Sequence, residues 1–412
     1  MASMSASTHW FWMQPPGSCD VAMNERVSIL PIILITVGTV CGLAATDLIL
    51  PAIPMLPDAV SGTAESAQWV LAGFALGTGV GLLVFGELGA RFRIVDILIV
   101  SSFAFALLSF AATRTGTLVE MSVIRFFQGI AASASAVYAP VMVKSLYDGR
   151  RAIAMIGRIG SIESMAPAIA PIIGALLLAV YGWQSSFYVV AVVAAATGIA
   201  WLSRPALRQK FGRLTVVPYG YLSLLRSPLF LRYALSQACT LGAVLVIVFS
   251  APKVVTGSLG GSLADFIVMQ VLGIVFFVVA ANMTGVFMRW WGDERTIFIG
   301  SAMTALGCAA ILLLSFVDQP KIPLLWFFFV FVNLGLGIRG PAGFYMALMA
   351  AGDNDSRGSA LIIVLVMVIA AGGTGAIAPH IERGLMPLAI AAAVISSVSV
   401  LTLVLTPLKG SR

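Results

Sequence analysis

Four ionisable residues fall inside long apolar runs of this 412-residue chain: Asp47, Arg125, Glu163 and Arg339. A charge at the centre of a bilayer costs about 2.5–3.5 kcal/mol on insertion scales, so such residues are functional candidates by default. By helical rise, Asp47 lies about 14 Å and Arg125 about 10 Å below the outer ends of their runs, depths at which opposite charges can pair. A carboxylate there can exchange a proton for its pairing partner or for a cationic substrate. The competing reading is a static salt bridge that fixes helix packing; the tendency of intramembrane acids to mark relays favours proton coupling for Asp47. For Arg125 a structural or orienting role carries equal weight. Glu163 and Arg339 each lie about 16 Å from the inner ends of their runs and could meet near the midplane. Their readings are substrate contact, a lock between two halves, or packing. Glu87, Asp96, Glu120 and Asp265 fall near run ends and read as solvated or interfacial.

Helix breakers surround two of these charges. Asp47, Pro51 and Pro54 follow spacings of a single helical face, and so do Glu163, Pro167, Pro171 and Gly174. Proline frees carbonyls and bends a helix, while glycine permits close approach. Such faces suit helices that rock against their neighbours.

The elements that must position these residues follow from composition. The chain is 60% hydrophobic and 10% charged, with mean hydropathy +1.02. Soluble domains carry roughly 25% charge, which excludes a soluble enzyme, a nucleic-acid binder and a disordered scaffold. Apolar runs, taken as continuous rather than alternating, predict helices over 28–56, 66–89, 94–113, 118–143, 152–180 and 186–203. After a polar stretch, 204–228, come 229–252, 262–288, 296–317, 323–350, 357–378 and 385–407. The expected fold is therefore an all-α polytopic membrane protein with twelve transmembrane helices. Its parts are a tail (1–27), six helices (28–203), a linker (204–228), six helices (229–407) and a tail (408–412). No internal repeat is visible in the residues, but the six-plus-six spacing suits the repeat architecture of many transporters.

Basic residues orient the chain by the positive-inside rule. Arg91, Arg93, Lys144, Arg150, Arg151, the linker set Arg204, Arg208, Lys210 and Arg213, and Arg289, Arg295 and Arg357 share one side, while Arg114, Lys253, Lys321 and Arg383 share the other. Both termini are then cytoplasmic, and the net charge of +7 reflects orientation rather than a polyanionic partner. The first residues show no basic stretch followed by an apolar core, hence no signal peptide. Residues 1–22 read as a tail or an extension ahead of a start at Met23. The scattered Cys19, Cys41, Cys239 and Cys308, with only His9 and His380, suggest neither a disulfide framework nor a metal site. No phosphate loop for ATP occurs, and no cofactor is expected.

At these residues the sequence resembles the major facilitator superfamily, and within it the twelve-helix drug:proton antiporters of the bicyclomycin and chloramphenicol resistance type. The resemblance rests on Thr46-Asp47-Leu48-Ile49-Leu50-Pro51-Ala52-Ile53-Pro54, on Arg125-Phe126-Phe127-Gln128-Gly129 and on Ala166-Pro167-Ala168-Ile169-Ala170-Pro171-Ile172-Ile173-Gly174. It rests also on Gly182-Trp183-Gln184-Ser185-Ser186-Phe187. It implies two six-helix bundles, spans 1, 4, 7 and 10 around a central cavity alternately open to each side, and export driven by inward proton flow. It implies proton handling at Asp47 with support from Arg125, and a hinge and seal at Pro167, Pro171 and Gly174, with Pro51 and Pro54 in the first-span signature. Glu163, Arg339 and Gln128 are the candidate cavity residues. The implied partners are a small-molecule substrate, protons and the lipid bilayer, with no nucleic acid. The implied setting is a monomer in a bacterial inner membrane. The family's loop between spans 2 and 3 reads Gly-x-Leu-(Ser/Ala)-Asp-Arg-x-Gly-Arg-Arg. Here Gly86, Leu88 and Arg91 are kept, but Ala90 stands for the aspartate and Arg93 for the second glycine. That puts the latch carboxylate of the family in question and leaves Glu87 as its substitute.

Three alternatives accompany the export reading: a proton symporter or facilitator that imports a metabolite, a membrane-embedded enzyme, and a sensor. The prolines of the fifth span favour export. The lack of any nucleophile–base constellation disfavours an enzyme, and the lack of a sizeable soluble domain disfavours a sensor.

Overall fold

The protein is described by a computed structural model covering residues 29–211, 220–317 and 321–405. The tails 1–27 and 408–412, the Met23 start and part of the linker lie outside the described residues. Among the described residues, twelve helices are long and apolar enough to cross a membrane. They are α1 Leu30–Asp47, α2 Ala64–Leu88, α3 Ile94–Ala112, α4 Leu118–Leu146, α5 Gly149–Tyr181 and α6 Gln184–Leu202, then α7 Pro228–Gly257, α8 Leu263–Trp291, α9 Asp293–Leu314, α10 Ile322–Ala350, α11 Asp355–Ile377 and α12 Leu385–Leu405. Each overlaps an apolar run expected from the sequence, with ends shifted by up to five residues except at the first run, where α1 stops nine residues short. The linker is not featureless: it carries the short helices Pro205–Lys210 and Tyr221–Leu225.

Local chemistry sets the helix ends. Thr63 and Ser262 accept from the backbone N–H three residues on, and Ser66 and Asp265 reach back to complete two capping boxes. Thr117 and Ser227 cap α4 and α7 in the same way, with Pro228 at the first position of α7. Asp265, expected to be solvated, thus has a definite task. Gly182 and Gly384 end the fifth span and the eleventh span with φ of 79° and 94°, a backbone region open to glycine at little cost.

One expectation fails at the first span. The α-helix stops at Asp47, and Leu50–Met55 continues as a 3-10 turn before the short helix Leu56–Ala59. Pro51 and Pro54 lack the N–H groups that a longer α-helix would need. Asp47, Pro51 and Pro54 therefore do not line one α-helical face; the acid sits at the break. In α5 the helix runs unbroken through Pro167 and Pro171, so Glu163, Pro167, Pro171 and Gly174 do share a face.

Packing repeats although the sequence does not. In the first half α2 packs on α4, α3 on α6, and α1 on α4, α5 and α6; in the second, α8 packs on α10, α9 on α12, and α7 on α10, α11 and α12. Adding six to each helix number of the first set gives the second. The seams between the halves obey the same rule, because α2–α11 and α5–α8 contacts exchange with each other. Small residues bring the backbones together. A Cβ on Gly73, Gly77 or Gly81 of α2 would lie 2.6 Å, 1.8 Å and 2.7 Å from backbone oxygens of Ser122, Phe126 and Ile130 on α4, a small-residue stripe at four-residue spacing. On α10, Gly335 and Gly337 meet the backbones of α9 and α8 in the same manner.

Candidate functional site

The guanidinium of Arg125 is fully buried. A buried charge needs its donors engaged, and here every nitrogen has an acceptor. Nε donates to the Val70 carbonyl at 3.3 Å, Nη1 to the Ala45 carbonyl at 3.3 Å and to Gln128 Oε1 at 3.2 Å, and Nη2 to Thr46 Oγ1 at 3.4 Å. The Phe74 ring lies under the cation at 4.2 Å and Phe187 at 5.9 Å, adding π faces to the carbonyls. Gln128 is also buried; its Nε2 donates to Ser109 Oγ at 2.7 Å, and Ser109 donates to the Phe105 carbonyl. Arg125 and Gln128 thereby tie α1, α2, α3 and α4 together.

Asp47 is half-buried beside this knot. The expected Asp47–Arg125 ion pair is absent: Arg125 takes the two residues before the acid, not the acid, and Asp47 has no ion pair among the described residues. The groups that Arg125 takes, the Ala45 carbonyl and the Thr46 hydroxyl, belong to the last turn of α1 just before the break. The broken turn also frees the Leu48 carbonyl, since Ala52 donates to Ile49 instead. Ser186 Oγ takes it up at 3.1 Å, and Gly174 presses on it so closely that a Cβ there would sit 2.2 Å away. Trp183 packs edge-on against Phe187, with ring centres 6.0 Å apart. Four short motifs separated by up to 140 residues thus converge on one place.

Glu163 and Arg339 do not meet. Glu163, half-buried on α5, forms no ion pair among the described residues. Arg339 is fully buried within the second half. Its Nη1 donates to the Ser236 carbonyl at 2.7 Å and to Thr240 Oγ1 at 2.8 Å on α7. The expected lock at the midplane is therefore absent: Arg339 is bonded within its own half, and α5 and α10 approach where Gly157 lies against Pro341.

The charges that cross between the halves lie at the helix ends nearest the linker. Glu87 takes Arg357 on two oxygens, at 2.8 Å and 3.1 Å, and Arg91 at 3.0 Å. Lys144 bonds Asp355 at 2.6 Å and the Gly352 carbonyl at 3.1 Å. The Tyr221 hydroxyl donates to the Leu83 carbonyl, and the Gly149 amide donates to the Tyr345 hydroxyl. Gly86 is the point where the Tyr221 hydroxyl and Ala360 approach α2; a Cβ would sit 2.1 Å from that oxygen. Glu87 and Asp96, expected to be solvated, are both paired, the latter with Arg208 at 2.6 Å. The fork of Glu87 on Arg357 is the feature least visible from the sequence, since 270 residues separate the partners.

A profile described as Major Facilitator Superfamily matches residues 35–379. The chain belongs to the Major Facilitator Superfamily. Relatives within this superfamily include a chloramphenicol resistance protein of Pseudomonas aeruginosa, 29% identical over 65% of this chain and 64% of that protein. A bicyclomycin resistance protein homolog of Haemophilus influenzae is 23% identical over 72% of this chain and 76% of that one. The match thus spans just under two thirds of the first relative's length. Solved structures agree in fold. The transporter FucP in its outward conformation aligns with TM-score 0.70 at 14% identity, over 93% of this chain and all of that one. A bacterial homologue of the iron transporter ferroportin, in an outward-facing state, aligns with TM-score 0.72 at 13% identity, over 91% of this chain and 98% of that one. The superfamily member is a membrane transporter rather than an enzyme.

Proposed function

We propose that the protein exports a small amphipathic compound from the cytoplasm in exchange for protons, by alternating access between two six-helix bundles. The observation that carries this reading is the carboxylate of Asp47: half-buried at a helix break, without an ion pair, and held by a turn that Arg125 braces. A carboxylate so placed can gain and lose a proton without first breaking a salt bridge. The distribution of basic residues assigns the linker end to the cytoplasm, as in an inner membrane with both termini inside. The ion pairs of Glu87 and Lys144 then close the cytoplasmic end, and the conformation faces outward. In the cycle, protonation of Asp47 from outside releases substrate outward, and loss of that proton inward follows reversal of the cavity. Arg125 and Gln128 position the acid, Glu163 stands near α1 as a second candidate contact, and Pro167, Pro171 and Gly174 let α5 bend against the α1 break. The resistance functions named for the Pseudomonas and Haemophilus relatives support export of a drug-like compound. A monomer suffices for this cycle, since both halves lie in one chain.

Reconstitution in vesicles with an imposed pH gradient tests the reading. Opposed proton and substrate fluxes, lost in Asp47→Asn, are expected for cationic, neutral or zwitterionic amphipathic compounds. Parallel fluxes would establish symport instead, and fluxes unchanged by Asp47→Asn would remove the acid from the mechanism.

A further inference from the structure

The linker makes a contact across the seam between the halves that carries no charge. Its short helix Tyr221–Leu225 packs on α7 and α11, and only Arg226 and Ser227 separate it from the start of α7. Leu224 is buried in the same cluster as Phe230 and Tyr233 of α7. The helix is thereby fastened to the second half. Tyr221, its first residue, reaches the other half: the hydroxyl donates to the Leu83 carbonyl of α2 at 2.7 Å. The ring also packs against the cluster that holds Phe85 and Tyr138 of the first half.

The surface of α2 suits this contact. Leu83 and Gly86 are three residues apart and so share a helical face. A Cβ at Gly86 would lie 2.1 Å from the Tyr221 oxygen, 3.2 Å from its Cζ and 2.8 Å from the Ala360 Cβ of α11. A glycine at this position lets the tyrosine and α11 approach the α2 backbone together. Burial, and after it the Glu87 carboxylate, raises the pKa of the Tyr221 hydroxyl above the ordinary tyrosine range, so the group stays a donor. Separation of α2 from α11 must therefore break the Tyr221–Leu83 bond, because the linker helix stays with α7 and α11.

We propose that Tyr221 is an uncharged bolt, carried by the linker on the second half and seated against Gly86 of α2, that must withdraw before the linker end opens. The proposal rests on the alternating-access reading above, but not on Asp47, on the substrate or on the direction of transport. The bolt differs in kind from the Glu87–Arg357 and Lys144–Asp355 pairs. Its hydrogen bond joins two uncharged groups, so salt does not screen it.

The test measures spin-label distances across the linker end of the full chain in detergent. Labels go on Arg93→Cys and Arg295→Cys, exposed positions at the starts of α3 and α9, in a chain whose native cysteines are replaced by alanine. Tyr221→Phe removes only the hydroxyl. It is expected to raise the ratio of open to shut molecules about fivefold, equally at about 0.05 M and about 0.5 M sodium chloride. Glu87→Gln is expected to raise the ratio mainly at the lower salt. Gly86→Ala is expected to raise it as well, and adding Tyr221→Phe to Gly86→Ala is expected to change little further, since both act at one contact. An open population that Tyr221→Phe leaves unchanged would overturn the bolt while alternating access stands, and so would a rise that vanishes at high salt. A single distance in the parent chain and in every variant would remove alternating access, and the bolt with it.

Discussion

Arg125 and Arg339 are both fully buried, neither is in an ion pair among the described residues, and one belongs to each half. They differ in how the surrounding helices answer the charge. Around Arg125 all three nitrogens find oxygen and two aromatic rings cover the faces. Around Arg339 one nitrogen is used and one edge is bare. The packing frame repeats between the halves, so the difference lies in side chains rather than in architecture. The first half uses its buried cation to brace the last turn of α1, while in the second one edge of the cation has no hydrogen-bond partner among the described residues.

That contrast can be broken most directly by removing the first cation. Arg125→Gln strands the carbonyls of Ala45 and Val70 and unties α1 and α2 from α4; a loss of about 3 kcal/mol in unfolding free energy is expected, read by denaturant titration in detergent. Gln128→Leu removes one link of the same knot, taking an acceptor from Arg125 and the donor from Ser109 Oγ, for an expected loss of about 2 kcal/mol in the same titration. Ser186→Ala frees the Leu48 carbonyl again, with an expected cost of about 1 kcal/mol. Arg339→Gln, by contrast, loses two bonds but also removes an uncompensated buried charge, and its net cost is expected below about 1 kcal/mol. If Arg339→Gln destabilises as much as Arg125→Gln, both cations are structural and the contrast collapses. The smallest effect belongs to the linker end, where Glu87 is about one third exposed. Glu87→Gln weakens the fork to Arg357 by about 1 kcal/mol or less, shortening residence in the closed arrangement; spin-label distances across that end would record a broader distribution.

Much of the frame is legible in the residues alone. Apolar runs mark all twelve helices because lipid demands uninterrupted apolar surface and internal backbone bonding. Asp47, Arg125, Glu163 and Arg339 are conspicuous because charge is scarce. What spacing cannot encode is which distant side chain answers each one. The ladder from Asp47 through Pro51 to Pro54 fits an α-helical face on paper, yet the missing proline N–H groups convert it into a break, and the acid ends up beside Arg125 without bonding it. The Glu87–Arg357 fork joins helices in opposite halves, and no local pattern points from one residue to the other. The glycine stripe at Gly73, Gly77 and Gly81 was written in the chain at regular spacing, but its meaning depends on the α4 backbone that lies against it.

The cross-half ion pairs at the linker end carry a further consequence for timing. Two contacts worth about 1 kcal/mol each would favour the shut arrangement by roughly thirtyfold. A transporter must undo that advantage in every turnover, and the Lys144–Asp355 pair, with both partners largely covered, yields less to salt than the Glu87–Arg357 pair, whose carboxylate is about one third exposed. Strengthening the latch with further charges would therefore slow the cycle before it improved the seal. The modest number of such contacts sets a speed limit as much as a lock.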